Sequence, residues 1–148
     1  MLSNVFVPGK KVLIPYFTCG DPTLKFTEEL ILQSVKAGAD VIELGLPFSD
    51  PIADGPVIQA SHQRALRNKD AHLTSIFAMI KRVKPLAKVP FVAMGASNLI
   101  YHYGIKDFFR DAKSAGLDGV IIPDLPVEEA ALYQKEAKRS KRLKRSVF

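Results

Sequence analysis

The sequence alternates regularly between short apolar runs and longer segments with helical periodicity. The four runs are KVLIPYF (11–17), ADVIELG (39–45), VPFVAM (89–94) and DGVIIP (118–123). Each run is rich in β-branched residues and apolar on both faces, which is typical of parallel strands buried on both sides. The sequence therefore predicts an α/β domain with four parallel strands, joined by right-handed crossovers.

Amphipathic helices are predicted between these strands. Two segments repeat apolar residues at i, i+3, i+4 and i+7, namely Leu73, Ile76, Phe77 and Ile80, and Ile105, Phe108, Phe109 and Ala112. A further helix is expected after Asp21-Pro22, with Phe26, Leu30, Ile31 and Val35 inward, and another over 127–138. Each of these helices is expected to pack one side on the sheet.

An internal repeat supports the same βα organisation. The segments AGADVIELGLP (37–47) and AGLDGVIIPDLP (115–126) both place Ala-Gly-x-Asp before an apolar run, with Gly38 and Gly116 suited to helix C-caps. Four such units form either a small open sheet or half of an eight-stranded barrel. In both architectures the functional groups lie at the carboxyl ends of the strands.

Glu43 occupies that position in the second run. Val41 and Gly45 share its face of the strand, so its neighbours there are an aliphatic side chain and bare backbone. Desolvation at such a place raises the pKa of a carboxyl group and suits it to proton transfer near neutrality. The alternative is that Glu43 forms an ion pair with a lysine at the strand end, and the residues alone leave both open.

A stiff loop with two more carboxylates follows directly. In LPFSDPIADGP (46–56), three prolines restrict the backbone and Gly55 permits a tight turn. Asp54 is either a functional carboxylate or the N-cap of a helix with Pro56 in its first turn. The N-cap reading leaves Asp50 and Glu43 unexplained.

The net charge of +6 is concentrated at the carboxyl terminus. Residues 138–148, KRSKRLKRSVF, carry six basic residues and no acid, whereas residues 1–137 are balanced. Such a cluster can bind phosphate backbones, but no aromatic residue except Phe148 interleaves it, and a nucleic-acid partner is not expected. We therefore divide the chain into a domain over 1–137 and a basic tail over 138–148.

Other features restrict the location and the chemistry. The single Cys19 allows no internal disulfide, and no apolar run approaches the roughly 18 residues of a membrane span, so a cytoplasmic protein without a membrane partner is expected. His62, His72 and His102 are expected at surface or loop positions without the spacing of a metal site. No glycine-rich nucleotide motif is present.

Three segments carry a resemblance to a known family. ELGLPFSDPIADGPVIQ (43–59) closely resembles the signature of the tryptophan synthase alpha chain, and PYFTCGDP (15–22) and DGVIIPDLPVEE (118–129) resemble its neighbouring segments in order. The resemblance covers about residues 11–137. It implies the N-terminal half of a (β/α)8 TIM barrel, here about four βα units. It also implies a lyase of tryptophan biosynthesis that cleaves indole-3-glycerol phosphate by a retro-aldol step to indole and glyceraldehyde 3-phosphate.

The resemblance implies roles for particular residues. Glu43 becomes the acid/base that protonates the indole ring carbon, and Asp54 the carboxylate that holds the indole N–H. Tyr16 stands where the family usually has Phe against the indole ring, and its hydroxyl is expected to need a partner. Asp50 and Pro51 match the loop that faces the family's β partner.

A segment after the third strand adds to this assignment. Asn98 is expected near the same interface as Asp50 and Pro51. Ala96 stands where the family normally carries Tyr on one wall of the indole site.

The resemblance also implies a partner and a length. The family works as an αββα heterotetramer with a β chain that carries pyridoxal phosphate, so no cofactor is expected in this chain. Family members run to about 250 residues, as full barrels do, and their phosphate-binding loops follow the later strands. The alternative is an inactive truncated fragment that only binds the β chain or self-associates, because a half-barrel exposes strand edges and an apolar interior.

Overall fold

The computed structural model describes residues 2–139. Within them, strands and helices alternate after a short 3-10 turn at Leu2–Asn4. The elements are β1 (Tyr16–Thr18), α1 (Leu24–Lys36), β2 (Ile42–Gly45), α2 (Pro56–Leu66), α3 (Leu73–Ala87), β3 (Phe91–Met94), α4 (Ser97–Tyr103), α5 (Ile105–Ala115), β4 (Gly119–Ile121) and α6 (Ala130–Arg139).

The four strands form one parallel sheet in the order β1-β2-β3-β4. Tyr16 pairs with Glu43, Glu43 with Val92, and Val92 with Gly119 across the three interfaces. Helices α1, α3, α5 and α6 contact one another in the same sequence. Successive right-handed crossovers without a reversal of strand order place the helices on one face, which is the arrangement of a (β/α) barrel. Of the two architectures left open, the structure has half of a barrel.

Three strands lie within the predicted runs, whereas the first prediction was wrong in its bounds. The predicted run was 11–17, but β1 spans Tyr16–Thr18. Pro15 has no N–H to donate to a ladder. The preceding segment is held instead by Asp40, whose Oδ2 accepts from the Leu13 N–H at 3.0 Å and whose N–H donates to the Leu13 carbonyl at 2.9 Å.

The two amphipathic stripes are confirmed. Ile76, Ile80 and Phe108 are fully buried, and Leu73 and Ile105 pack at the edge of the core. The prediction for α1 was wrong for Phe26, which is 43% exposed, because the buried side of that helix is centred on Thr27 and Ile31.

The last helix begins later than predicted. It starts at Ala130, after turns at 127–129, and includes Lys138 and Arg139 from the predicted basic tail. Residues 140–148 lie outside the described part of the chain, so the division at 137 stays a prediction.

Two of the four units contain two helices, which accounts for their length. Helices α2 and α3 follow β2, and α4 and α5 follow β3. Gly116 caps α5 with φ 101°, and Gly38 follows the C-cap of α1 with φ 99°. Both glycines take the left-handed conformation that the repeat predicted. A residue with a side chain would be strained in that conformation, which accounts for Gly at both positions.

Alternate residues of the strands divide the sheet into two faces. The outer face, which contacts the helices, carries Ile42, Leu44, Phe91 and Ala93, all 0% exposed. The opposite side, called the inner face below, carries Tyr16, Glu43, Met94 and Ile121, all of intermediate exposure. The hydrophobic core therefore lies on the helix side of the sheet, and the polar strand residues point away from it.

Candidate functional site

Glu43 is the central carboxylate of the inner face. It lies in β2 between Tyr16 of β1 and Val92 of β3. Burial raises the pKa of its carboxyl group above the usual 4.5. Within residues 2–139 no lysine or arginine forms a salt bridge with it, so the ion-pair alternative is wrong for the described chain. Desolvation without a cationic partner favours the protonated acid, as a proton donor requires.

Asp54 is held at the rim of the site by its loop. The N-cap of α2 is Gly55, so of the two alternatives for Asp54 the N-cap is wrong. Its backbone is fixed from both sides, since its N–H donates to the Pro51 carbonyl at 3.1 Å and its carbonyl accepts from Gln59 Nε2 at 2.8 Å. The carboxylate itself has 11% side-chain exposure and lies 3.8 Å from His62 Nε2.

His62 is the residue that the sequence analysis missed. It was expected at the surface, but its exposure is 3%, because it lies on the buried side of α2 with Ala65. Its Nδ1 accepts from the Phe48 N–H at 3.0 Å, and its Nε2 lies 3.2 Å from the Tyr16 hydroxyl. Burial lowers the pKa of the His62 ring. The spacing of Ile58, His62 and Ala65 at i, i+4 and i+7 places the imidazole on the same side of the helix as two apolar residues, and the contact with the Phe48 loop completes its burial.

Tyr16 joins the inner face to the loop. A Cβ on Gly45 would lie 2.0 Å from the Tyr16 Oη, so the aromatic side chain crosses the bare backbone of β2. Its hydroxyl has the partner that the sequence required, His62 Nε2. Burial raises the pKa of Tyr16 to about 12, and the negative charges of Asp54 and Glu43 add to that shift. Both carboxylates therefore disfavour ionisation of the same phenol.

Two cavities adjoin these groups. A small one of about 20 Å³ lies beneath the loop, with Asp54, His62 and Ala96 on its wall. An open cleft of about 440 Å³ runs along β1, with Tyr16 and Phe26 on its wall. Ala96 thus borders the space next to Asp54, and Tyr16 separates the cleft from the buried imidazole.

Ion pairs and hydrogen bonds tie the surrounding loops together. Arg64 of α2 donates two hydrogen bonds to the Asp21 carboxylate, at 2.9 and 2.7 Å, and holds the pKa of Asp21 below its usual value. Asp124, after β4, accepts from the Ser97 N–H at 2.8 Å and from its hydroxyl at 3.0 Å. The segments at the carboxyl ends of the strands are therefore cross-linked, which positions the site between them.

The three residues expected at a partner interface lie at this end of the sheet. Asp50 and Asn98 are exposed and Pro51 is partly exposed. Ile52, in the same loop, is 84% exposed.

In the described residues no group of three or more His, Cys, Asp or Glu side chains is placed to hold a metal ion.

The fold and the site together define half of a (β/α) barrel, with polar groups at the carboxyl ends of its strands. The family model described as "Tryptophan synthase alpha chain" matches residues 2–143. The chain belongs to that family.

Relatives and solved structures agree with this assignment. The tryptophan synthase alpha chain of Geotalea uraniireducens is 47% identical over 137 residues, which are 93% of this chain and 51% of the relative. That of Caldanaerobacter subterraneus is 49% identical over 121 residues, 82% of this chain and 46% of the relative. The crystal structure of tryptophan synthase subunit alpha from Legionella pneumophila superposes with a TM-score of 0.84 at 43% identity, covering 88% of this chain and 50% of that one.

A solved assembly is also similar. In the tryptophan synthase complex from Pyrococcus furiosus, the matching chain superposes with a TM-score of 0.80 at 42% identity, covering 87% of this chain and 53% of that one. The chain thus spans about half the length of the relatives it matches.

No helix within residues 2–139 is long and apolar enough to cross a membrane.

Proposed function

We propose that this chain carries the acid–base part of a lyase site that cleaves indole-3-glycerol phosphate to indole and glyceraldehyde 3-phosphate. The observation that carries the proposal is the position of Glu43. It is a half-buried carboxyl group with a raised pKa and no cationic partner among the described residues, and its strand neighbour is an aromatic residue. Family membership supports the same chemistry.

Glu43 acts first as an acid and then as a base. The protonated carboxyl donates its proton to the indole ring carbon that bears the glycerol side chain. The resulting carboxylate then accepts the proton of the adjacent side-chain hydroxyl. The carbon–carbon bond to the ring breaks, its electron pair returns to the ring, and the hydroxyl carbon becomes the aldehyde. The proton balance closes on Glu43, which needs a pKa close to neutrality for both steps.

Asp54 stabilises the intermediate that forms between these steps. Protonation of the ring carbon leaves positive charge on the indole nitrogen, and a fixed anion at the N–H lowers the energy of that state. Support for this role comes from the loop, which holds the Asp54 backbone on both sides. Its carboxylate is not used as the N-cap of α2, since Gly55 occupies that position. Two carboxylates in different environments suit the two roles.

Tyr16 provides an aromatic wall beside Glu43. Its side chain crosses Gly45 and its hydroxyl is satisfied by His62, so the aromatic face is available for an indole ring without an unpaired polar group behind it. Aromatic side chains pack well against such rings in offset or edge-to-face geometry.

The proposed partner is a tryptophan synthase β chain in an αββα assembly. The exposed positions of Asp50, Asn98 and Ile52 at the carboxyl end of the sheet support docking through this surface. The acid–base steps use carboxylates of this chain alone, and pyridoxal phosphate is expected only in the β partner. A cytoplasmic location belongs to the same proposal.

Indole formation tests the activity. The purified chain, alone and with a β chain, is incubated with indole-3-glycerol phosphate, and indole is quantified. We expect indole from the wild type and its loss in Glu43→Gln and Asp54→Asn. Glu29→Gln, on an exposed face of α1, is the matched control and retains the activity. Indole from Glu43→Gln at the wild-type rate would refute the role of Glu43.

A second candidate function rests on the open sheet. Within the described residues β1 and β4 are each paired on one side, and the inner face is partly exposed. A chain of this kind can act as a fragment that binds the β chain or self-associates without activity.

Sedimentation velocity and the indole assay separate the two candidates. Association with the β chain that weakens in Asp50→Ala, together with absence of indole from every variant, would favour the fragment. Unchanged association in Asp50→Ala would exclude the proposed docking surface.

A further inference from the structure

The His62 ring is fixed from three directions. The Phe48 N–H faces Nδ1 at 3.0 Å, the Tyr16 hydroxyl faces Nε2 at 3.2 Å, and Asp54 Oδ2 lies 3.8 Å from the same Nε2. The ring is 3% exposed, and the groups come from β1 and from the two ends of the loop after β2. None of the chemical steps above uses this imidazole.

The contact with Phe48 determines which ring nitrogen carries the proton. A backbone N–H can only donate, so Nδ1 must present its lone pair. The proton of the neutral ring is therefore on Nε2. A doubly protonated ring would direct an N–H against the Phe48 N–H, so the arrangement also requires the neutral form.

The proton on Nε2 lies between two groups of the proposed site. It can be donated to the Tyr16 oxygen or, with a small movement, to the Asp54 carboxylate. When it is donated to Tyr16, the phenol keeps its own O–H proton for another acceptor. The imidazole thus presents the same N–H to a phenol within hydrogen-bond distance and to a carboxylate just beyond it.

We propose that His62 is a positioning residue, a neutral Nε2–H donor that sets the orientation of the Tyr16 hydroxyl and the Asp54 carboxylate. This inference deepens the proposed function, because both oriented groups belong to its site. The buried imidazole holds these groups in place through hydrogen bonding, as the residues behind a functional side chain do in other sites.

The test reads the tautomer directly and needs no substrate. The chain is labelled with ¹⁵N-histidine, and two-bond ¹H–¹⁵N spectra are recorded from pH 5 to 8. His62→Gln identifies the His62 signals among those of the three histidines. We expect a protonated Nε2, an unprotonated Nδ1 and a neutral ring at neutral pH, because the Phe48 N–H faces Nδ1 and burial lowers the pKa of the ring. A protonated Nδ1 or a charged ring at neutral pH would overturn the proposal.

Two substitutions test whether the donor contacts both partners. We expect Tyr16→Phe and Asp54→Asn each to move the Hε2 resonance of His62, because each changes an acceptor of that proton. His72→Gln, at an exposed position without a side-chain cap, is the matched control and leaves the resonance in place. An unmoved resonance in both site variants would overturn the positioning role, even with the expected tautomer.

The activity assay then connects this role to the proposed function. In a chain that forms indole, we expect His62→Gln to lower kcat/KM about tenfold, the size of effect that follows loss of one hydrogen bond to a charged or oriented group. Absence of indole from the wild type, with the expected tautomer and shifts, would count against the proposed function and leave the positioning role supported. Full activity of His62→Gln would overturn the positioning role.

Discussion

The two faces of β2 differ completely although their residues alternate along four positions. Ile42 and Leu44 on the outer face are 0% exposed and pack among the helices. Glu43 and Gly45 on the inner face meet Tyr16, and one is a half-buried acid while the other has no side chain. Adjacent residues of this strand therefore lie in the hydrophobic core and in the proposed site.

This difference separates stability from function on one short strand. The outer face contributes apolar burial, which is the main favourable term in folding. The inner face contributes polar groups whose orientation depends on His62 of α2 and on the loop before that helix. Substitutions on the two faces should consequently have effects of different kind and size.

The largest effect is expected on the outer face. Leu44→Ala should lower the free energy of unfolding by about 2–5 kcal/mol, because it removes a fully buried side chain and leaves a cavity. Urea unfolding measures this loss. Met94→Ala, on the partly exposed inner face, is the comparison and should cost less than half as much. Equal losses at the two positions would remove the distinction between the faces.

The next effect is expected at Gly45. A Cβ there would lie 2.0 Å from the Tyr16 Oη and 2.5 Å from its Cζ, so Gly45→Ala must displace the ring from His62. We expect a loss of about 1–3 kcal/mol, as for other overpacked sites. Gly55→Ala, whose Cβ would meet nothing within 4 Å, is the steric control.

A double-mutant cycle identifies the cause of the Gly45 effect. In the Tyr16→Ala background the cost of Gly45→Ala should largely disappear, because the colliding atoms are absent. Strict additivity of the two substitutions would show that the Tyr16 ring is not what requires glycine at this position.

A smaller effect is expected from removal of the phenol oxygen. Tyr16→Phe leaves the His62 Nε2–H without its nearest acceptor and should lower the free energy of unfolding by about 1 kcal/mol. Tyr101→Phe, at a side chain with 67% exposure, should change it little. Chemical denaturation of the two variants in parallel makes the comparison, and equal values would contradict the hydrogen bond to His62.

The smallest effect is expected at Glu43, and it has the opposite sign. Because burial raises its pKa in the folded state, the folded chain is favoured when Glu43 is neutral and loses that advantage as the pH rises through the raised pKa. Glu43→Gln should therefore match the wild type in acid and exceed it slightly at neutral pH. Solvent screening of this half-buried group keeps the gain to a fraction of a kcal/mol.

Thermal unfolding of wild type and Glu43→Gln from pH 4 to 8 measures this difference, with Glu29→Gln as the surface control. A Glu43→Gln variant less stable than the wild type at neutral pH would mean that the native site stabilises the charged carboxylate.

Local patterns in the sequence predicted most of the fold. The period-two alternation placed Glu43 on the face opposite Ile42 and Leu44, and the helical stripes of α3 and α5 identified buried residues such as Ile76 and Phe108. These features depend on neighbours along one element. The choice between an open sheet and a barrel depended on strand order, which periodicity does not encode.

The errors share a physical cause, which is dependence on distant contacts. The bounds of β1 depended on hydrogen bonds between Leu13 and Asp40, and the exposure of Phe26 on which side of α1 meets the sheet. His62 is buried because the loop at Phe48 folds back on α2. The prolines predict a defined loop, but no local pattern predicts that this loop packs against His62.

The pKa of Glu43 is the most direct test of its proposed role as the proton donor. ¹³C NMR titration of the Glu side-chain carboxyl carbons, with Glu43→Gln to identify the signal, gives the pKa of this residue in the folded chain without substrate or partner. We expect a pKa above the usual 4.5, because the inner face desolvates the carboxyl group without supplying a cation. A pKa at or below 4.5 would refute the proposed role of Glu43, because the carboxyl group would then be ionised near neutral pH and could not act as the proton donor.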